Sequence, residues 1–247
     1  MPARNATAAI IGAGDFIGAA IARKFATEGY TVFAGRRTAE KLEPLKAEIE
    51  AAGGRCVARG LDARKEEDVT AFLEEADQHA PLEVCIANPG ANVNFPILET
   101  TERVFRKVWE MACYAGFLTG REAARRMLKH GKGSIFFTGA TASVRGGAGY
   151  AAFASAKAGL RMVAQSMARE LGPKNIHVAH LIIDAGVDTA FVRERIKSER
   201  GEEALARLPE DALMNPASIA AAYWMLHTQS RDAWTFEMDL RPYGETW

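Results

Sequence analysis

Five apolar or β-branched residues, Thr7-Ala8-Ala9-Ile10-Ile11, run straight into the glycine-rich stretch Gly12-Ala13-Gly14-Asp15-Phe16-Ile17-Gly18, and residues 19–25 then read as a helix. A buried strand, a tight turn and a helix N-terminus in that order form the arrangement that binds a dinucleotide pyrophosphate. The glycines let the backbone approach the phosphates, and the helix's free N–H groups and positive dipole end meet the negative charge. A G-x-G-x-x-G spacing by itself also serves plain close packing. The weight therefore rests on its context at the head of a βαβ unit.

Strand-like and helical patterns alternate along the rest of the 247 residues. Apolar strands are expected at 31–35, 55–61, 82–87, 134–138, 176–183 and 234–240. Helices are expected at 38–52, 65–79, 101–129, 148–171, 216–228 and over most of 188–208. Continuous apolar strands separated by helices imply a parallel sheet covered on both faces. No linker, repeat or low-complexity tract interrupts the pattern. The expectation is one α/β domain over 1–247, a Rossmann-type, doubly wound, seven-stranded parallel sheet.

Lys+Arg and Asp+Glu balance at 31 each, so no net charge steers the molecule toward nucleic acid or an anionic membrane. No apolar stretch approaches the ~18 residues of a membrane span, and the N-terminal run reads as a strand, not a signal peptide. Cys56, Cys85 and Cys113 have no C-x-x-C pairing and suit a reducing compartment as small hydrophobes. His177 and His180, three apart in a strand pattern, fall on opposite faces, so no metal site is expected. These features point to a cytoplasmic protein acting on a small-molecule substrate.

The second strand ends at Gly35-Arg36-Arg37, the corner that faces the adenosine ribose in dinucleotide folds. An acid there would bind the 2′-OH, whereas Arg36 offers a planar, permanently charged fork to a 2′-phosphate. NADP(H) is favoured over NAD(H) on this reading, with a solvated turn as the bland alternative. Asp62, followed by Ala63 at the end of the third strand, is placed either to accept from the adenine amino group or to cap the next helix.

With these landmarks the chain resembles the short-chain dehydrogenase/reductase family over nearly its whole length. Gly12-x-x-x-Phe16-Ile17-Gly18 is similar to that family's T-G-x-x-x-G-I-G, and Asn88-Pro89-Gly90 stands where the family has N-A-G. Val187-Asp188-Thr189 matches the end of its P-G-x-x-x-T segment, so the resemblance implies cofactor contacts from Val187 and Thr189. In that family a Tyr-x-x-x-Lys pair carries catalysis: the tyrosine protonates the carbonyl oxygen, and the lysine lowers its pKa and binds the nicotinamide ribose. Here the pattern is Phe153-x-x-x-Lys157. The serine position holds Ala140, with Thr138 and Thr141 as the nearest hydroxyls, the asparagine position holds Cys113, and Pro-Gly becomes Asp184-Ala185. Phe16 replaces a loop glycine and would narrow or partly occlude the nicotinamide pocket.

Two replacements for the missing acid stand open. Tyr150 lies seven residues before Lys157 on the same helical face as residue 153. Its spacing resembles that of the enoyl-thioester reductases, where the tyrosine contacts a thioester carbonyl; the alternative is that Tyr150 only lines the helix start. Asp184 either does acid–base work near the nicotinamide end or hydrogen-bonds a backbone turn. The functional readings are an NADP(H)-dependent oxidoreductase with an altered catalytic set, a non-catalytic nucleotide-binding protein, and a lyase or dehalogenase on the same scaffold. Apolar residues on several faces of 101–129 and 148–171, among them Met111, Phe117, Leu118, Leu160, Met162, Val163 and Met167, predict a homodimer or homotetramer.

Overall fold

The computed structural model describes residues 2–245. The apolar runs become strands β1 (Thr7–Ile11), β2 (Thr31–Arg36), β3 (Arg55–Gly60), β4 (Leu82–Ala87), β5 (Gly133–Thr138), β6 (Ile176–Ile183) and β7 (Glu237–Leu240). All pair in parallel in the order β3-β2-β1-β4-β5-β6-β7. Along β1 the side chains alternate between two layers. Ala8 and Ile10 join the core formed with α1 (Ile17–Thr27), α2 (Glu43–Ala51) and α9 (Pro216–His227), and Ala9 and Ile11 join that of α3 (Glu66–His79), α5 (Ala115–His130) and α6 (Ala151–Leu171). Both faces are covered, as the uninterrupted apolar strands require. The fold is the expected single α/β domain.

Strand order reverses between β1 and β4, whose last residues Ile11 and Ala87 are register partners. The turns that follow diverge there and leave a crevice, the usual ligand position of open α/β sheets. Asn88 ties the turns together: its backbone N–H donates to the Ile11 carbonyl at 2.9 Å, and its side-chain amide to that of Gly12 at 2.8 Å.

Several expected boundaries shift. The helix expected at 101–129 is α4 (Glu102–Trp109), a π turn over Glu110–Tyr114, then α5. A π turn keeps the chain helical, so a local apolar pattern reads the whole stretch as one helix. Residues 38–52 divide into a 3₁₀ turn (Ala39–Leu42) and α2. Residues 188–208 divide into α7 (Ala190–Arg200) and α8 (Glu202–Ala206) at Gly201, whose φ of +89° ends the first helix. The final strand is shorter than expected, because Thr235 bonds both ways with the Gln229 side chain, at 2.8 and 2.9 Å, instead of entering the sheet. His177 and His180 do separate: His177 stacks on Trp234 at 4.9 Å, while His180 meets Glu237 at 3.1 Å. The oligomer list also divides, with Leu118 and Leu160 inside the monomer core and Phe117 and Met162 more than a third exposed. Among the described residues, no helix is long and apolar enough to cross a membrane.

Candidate active site

A cavity of about 1400 Å³ lies along the C-terminal ends of the central strands. Its floor is the first turn, with Gly12, Gly14, Asp15, Phe16, Ile17 and Gly18. Arg36, Arg37, Asp62 and Ala63 line one end. Asn88, Pro89, Gly90, Tyr150, Lys157, Val187 and Thr189 line the rest. The structure thus brings together around one space every expected site residue except Asp184.

The turn fits a dinucleotide phosphate. Gly12 has φ +91° and packs so tightly that a Cβ would stand 2.8 Å from the Asn88 carbonyl carbon; a Cβ on Gly18 would stand 2.4 Å from the Gly12 oxygen. Packing therefore requires both. Gly14 is different, since a Cβ there meets nothing within 4 Å and its φ is not left-handed. Its bareness leaves open space in the cavity where backbone could approach a ligand. Phe16 is the N-cap of α1 and provides no side-chain cap. Among the described residues nothing accepts from the N–H groups of Phe16, Ile17 and Gly18, so the helix start presents orphan donors and its positive dipole end to the cavity.

Lys157 enters from α6. Its Nζ donates to the Thr138 carbonyl at 2.7 Å and lies 3.5 Å from that of Pro89. Burial without a carboxylate partner pushes its pKa down to about 8. Tyr150 is the N-cap of α6, whose first residue lies three later than the expected helix start, and its phenol bonds to no described residue. Phe153 and Ala140, at the two altered catalytic positions, line the same cavity, and their side chains have no exchangeable proton. The neighbouring hydroxyls are already engaged. Thr138 pairs with the Tyr223 phenol at 2.7 Å, Thr141 donates to Asp184, and Ser143 accepts from the Ala140 N–H at 3.1 Å.

Asp184 departs from expectation. Its carboxylate is buried behind the cavity wall, where Thr141 and Arg241 (3.2 Å) hold it and Arg145 lies 3.8 Å away. The cause is the preceding β6, whose end still pairs with β7: the Asp184 N–H donates to Leu240 at 2.9 Å. Asp62 does line the cavity, but it caps no helix. It accepts from the Arg64 backbone and guanidinium, which hold its carboxyl down at about 2. Sequence reasoning missed an adjoining hollow of about 410 Å³ beside Tyr150, lined by Asn92, Asn94, Phe191, Arg195 and Glu199. Its only signal was Asn92 and Asn94 soon after the Asn88-Pro89-Gly90 turn; helical periodicity cannot say that α7 lies across the mouth.

The short chain dehydrogenase family matches over residues 6–200, most of the chain and every cavity segment up to α7. The chain belongs to that family. This short-chain dehydrogenase is 27% identical over 223 residues to 3-oxoacyl-acyl-carrier-protein reductase MabA of Mycobacterium tuberculosis, covering 89% of this chain and 84% of that one. A crystal structure of a short-chain dehydrogenase from Rhodopseudomonas palustris is 67% identical, with a TM-score of 0.84, covering 97% of this chain and 100% of that one. An alcohol dehydrogenase from Thermococcus sibiricus, complexed with 5-hydroxy-NADP, superposes with a TM-score of 0.83 at 25% identity, covering 98% of each.

Proposed function

We propose that this short-chain dehydrogenase is an NADP(H)-dependent oxidoreductase that moves hydride to or from a carbonyl/alcohol pair or a conjugated enone, using Tyr150 in place of the family's tyrosine. The observation that carries the reading is Lys157: a cation kept buried, at a cost, in a wall that also bears the Tyr150 phenol, which bonds to no described residue. When bound, the nicotinamide supplies or accepts the hydride.

The orphan N–H groups at the start of α1 and the open face of Gly14 hold the pyrophosphate, and Arg36 is the cation available to a 2′-phosphate. Asn88 fixes the two turns that frame the sugar, and Lys157 donates to the ribose hydroxyls. Tyr150 gives its phenolic proton to the substrate oxygen in the reductive direction and takes one back in the oxidative direction. Phe153 and Ala140 supply an apolar wall without a second donor, which favours a substrate whose oxygen needs one hydrogen bond only. The relatives' activities, a 3-oxoacyl reductase and an alcohol dehydrogenase, support this class of chemistry without fixing the substrate.

The test is a titration of NADPH by fluorescence, followed by a panel of ketones, enones and alcohols monitored at the nicotinamide absorbance. Binding with turnover on some member supports the reading. Tight binding with no turnover on any member would leave a non-catalytic nucleotide-binding protein instead.

A further inference from the structure

The end of the cavity beyond the first turn is crowded with charge, and Arg64 and Arg36 there have different counter-ions. Arg64 is held by Asp62. Arg36, the last residue of β2, is held by Asp15: its Nη1 lies 2.6 Å from the Asp15 carboxylate and 3.5 Å from the Lys41 carbonyl. The two partners differ in freedom. The Arg36 side chain is one-fifth exposed, whereas that of Asp15 is two-thirds exposed on a loop. Arg36 is thus a fixed cation, and Asp15 is a movable carboxylate occupying the guanidinium that the functional reading gives to a 2′-phosphate.

Resting on that reading, we propose that Asp15 is the specificity-determining residue for the cofactor: its carboxylate competes with the 2′-phosphate for Arg36. A phosphate reaching Arg36 must displace a carboxylate from it and then remain within a few ångströms of that negative charge. A 2′-hydroxyl brings no charge and offers Asp15 a donor. Arg37 and Lys41 line the same end and add positive potential, but neither removes the competition at Arg36. The chain therefore accepts both NADPH and NADH, and its discrimination between them is smaller than Arg36 alone would impose.

The experiment measures dissociation constants for NADPH and NADH by calorimetry on the whole chain, for the wild type and for Asp15→Asn, Arg36→Ala and the double variant. Asp15→Asn is expected to tighten NADPH by about ten-fold, the scale of the Asp15–Arg36 attraction near water that the phosphate no longer has to break, while NADH binds no more tightly than to the wild type. In the Arg36→Ala background the gain from Asp15→Asn should fall to less than about three-fold, because the contested cation is gone. An unchanged NADPH/NADH ratio in Asp15→Asn overturns the proposal, as does a gain that persists undiminished without Arg36. Failure of the wild type to bind either dinucleotide would instead bring down the functional reading, and this inference with it.

Discussion

Lys157 Nζ donates to the main-chain carbonyl of Thr138 at 2.7 Å, which binds the middle of α6 to the end of β5 just where the cavity wall turns. The ammonium is wholly buried and has carbonyl oxygens, not carboxylates, as its partners.

That environment predicts an unusual pairing of effects. Lys157→Met should weaken NADPH at least ten-fold through loss of the cation, without lowering thermal stability, because the buried charge is unfavourable in the folded state. The folded pKa of about 8 lies below the unfolded value, so wild-type stability should rise with pH above 8 relative to Lys157→Met. Urea unfolding of both proteins at pH 7 and 9.5 measures this; a Met variant markedly less stable at pH 7 contradicts it.

Tyr150→Phe should reduce turnover by 10²–10⁴-fold, the usual contribution of a general acid, with NADPH affinity unchanged. Phe153→Tyr should not restore ordinary carbonyl reduction, since Ala140 still provides no second donor. Full activity of Tyr150→Phe on an identified substrate refutes the assignment.

Two glycines in one turn should respond in opposite ways. Gly14→Ala places its methyl in open cavity and should keep the melting temperature while weakening both dinucleotides more than ten-fold. Gly18→Ala forces a methyl against the Gly12 carbonyl and should cost roughly 1–3 kcal/mol of stability, seen as a lowered urea midpoint.

Acid should unfold the protein by way of two histidines. Burial holds His180 and His227 at about 4, so between pH 6.5 and 4 the unfolded chain binds protons that the folded chain refuses. Stability is fully present above 6.5 and falls with acidity by about 1.4 kcal/mol per pH unit for each group. His227→Gln should flatten the slope of unfolding free energy against pH over that window; an unchanged slope removes this explanation.

An exposed aromatic row on α4 and α5 leads us to expect a homodimer or homotetramer. Phe105, Trp109 and Phe117 remain more than a third exposed, and Tyr114 stacks between the last two at 6.1 Å from each. Light scattering at micromolar concentration should give a multiple of the 26.8 kDa chain mass, and Trp109→Glu should reduce it.

The sheet was legible because seven strand-like runs separated by helices leave little choice of architecture, and the glycine spacing at 12–18 marks the crevice in the sequence itself. What escaped was set by partners distant in sequence. Asp15 beside Arg36, Thr141 on Asp184 and Arg195 across from Asn92 depend on where loops lie, not on local pattern. The π turn at 110–114 escaped for another reason, since it changes hydrogen bonding without changing which residues are apolar.

The last strand has a role in time as well as in space. Glu237 hydrogen-bonds His180 and pairs with Arg161 of α6, and Arg241 pairs with Asp184, so groups behind the cavity wall take partners from β7 and the residue that follows it. During synthesis the cavity walls would exist as chain well before these counter-ions leave the ribosome. A nascent chain arrested before residue 237 should therefore hold its glycine turn and most of its sheet yet leave His180 and Arg161 without Glu237 and Asp184 without Arg241. Maturation of the site would then wait on β7.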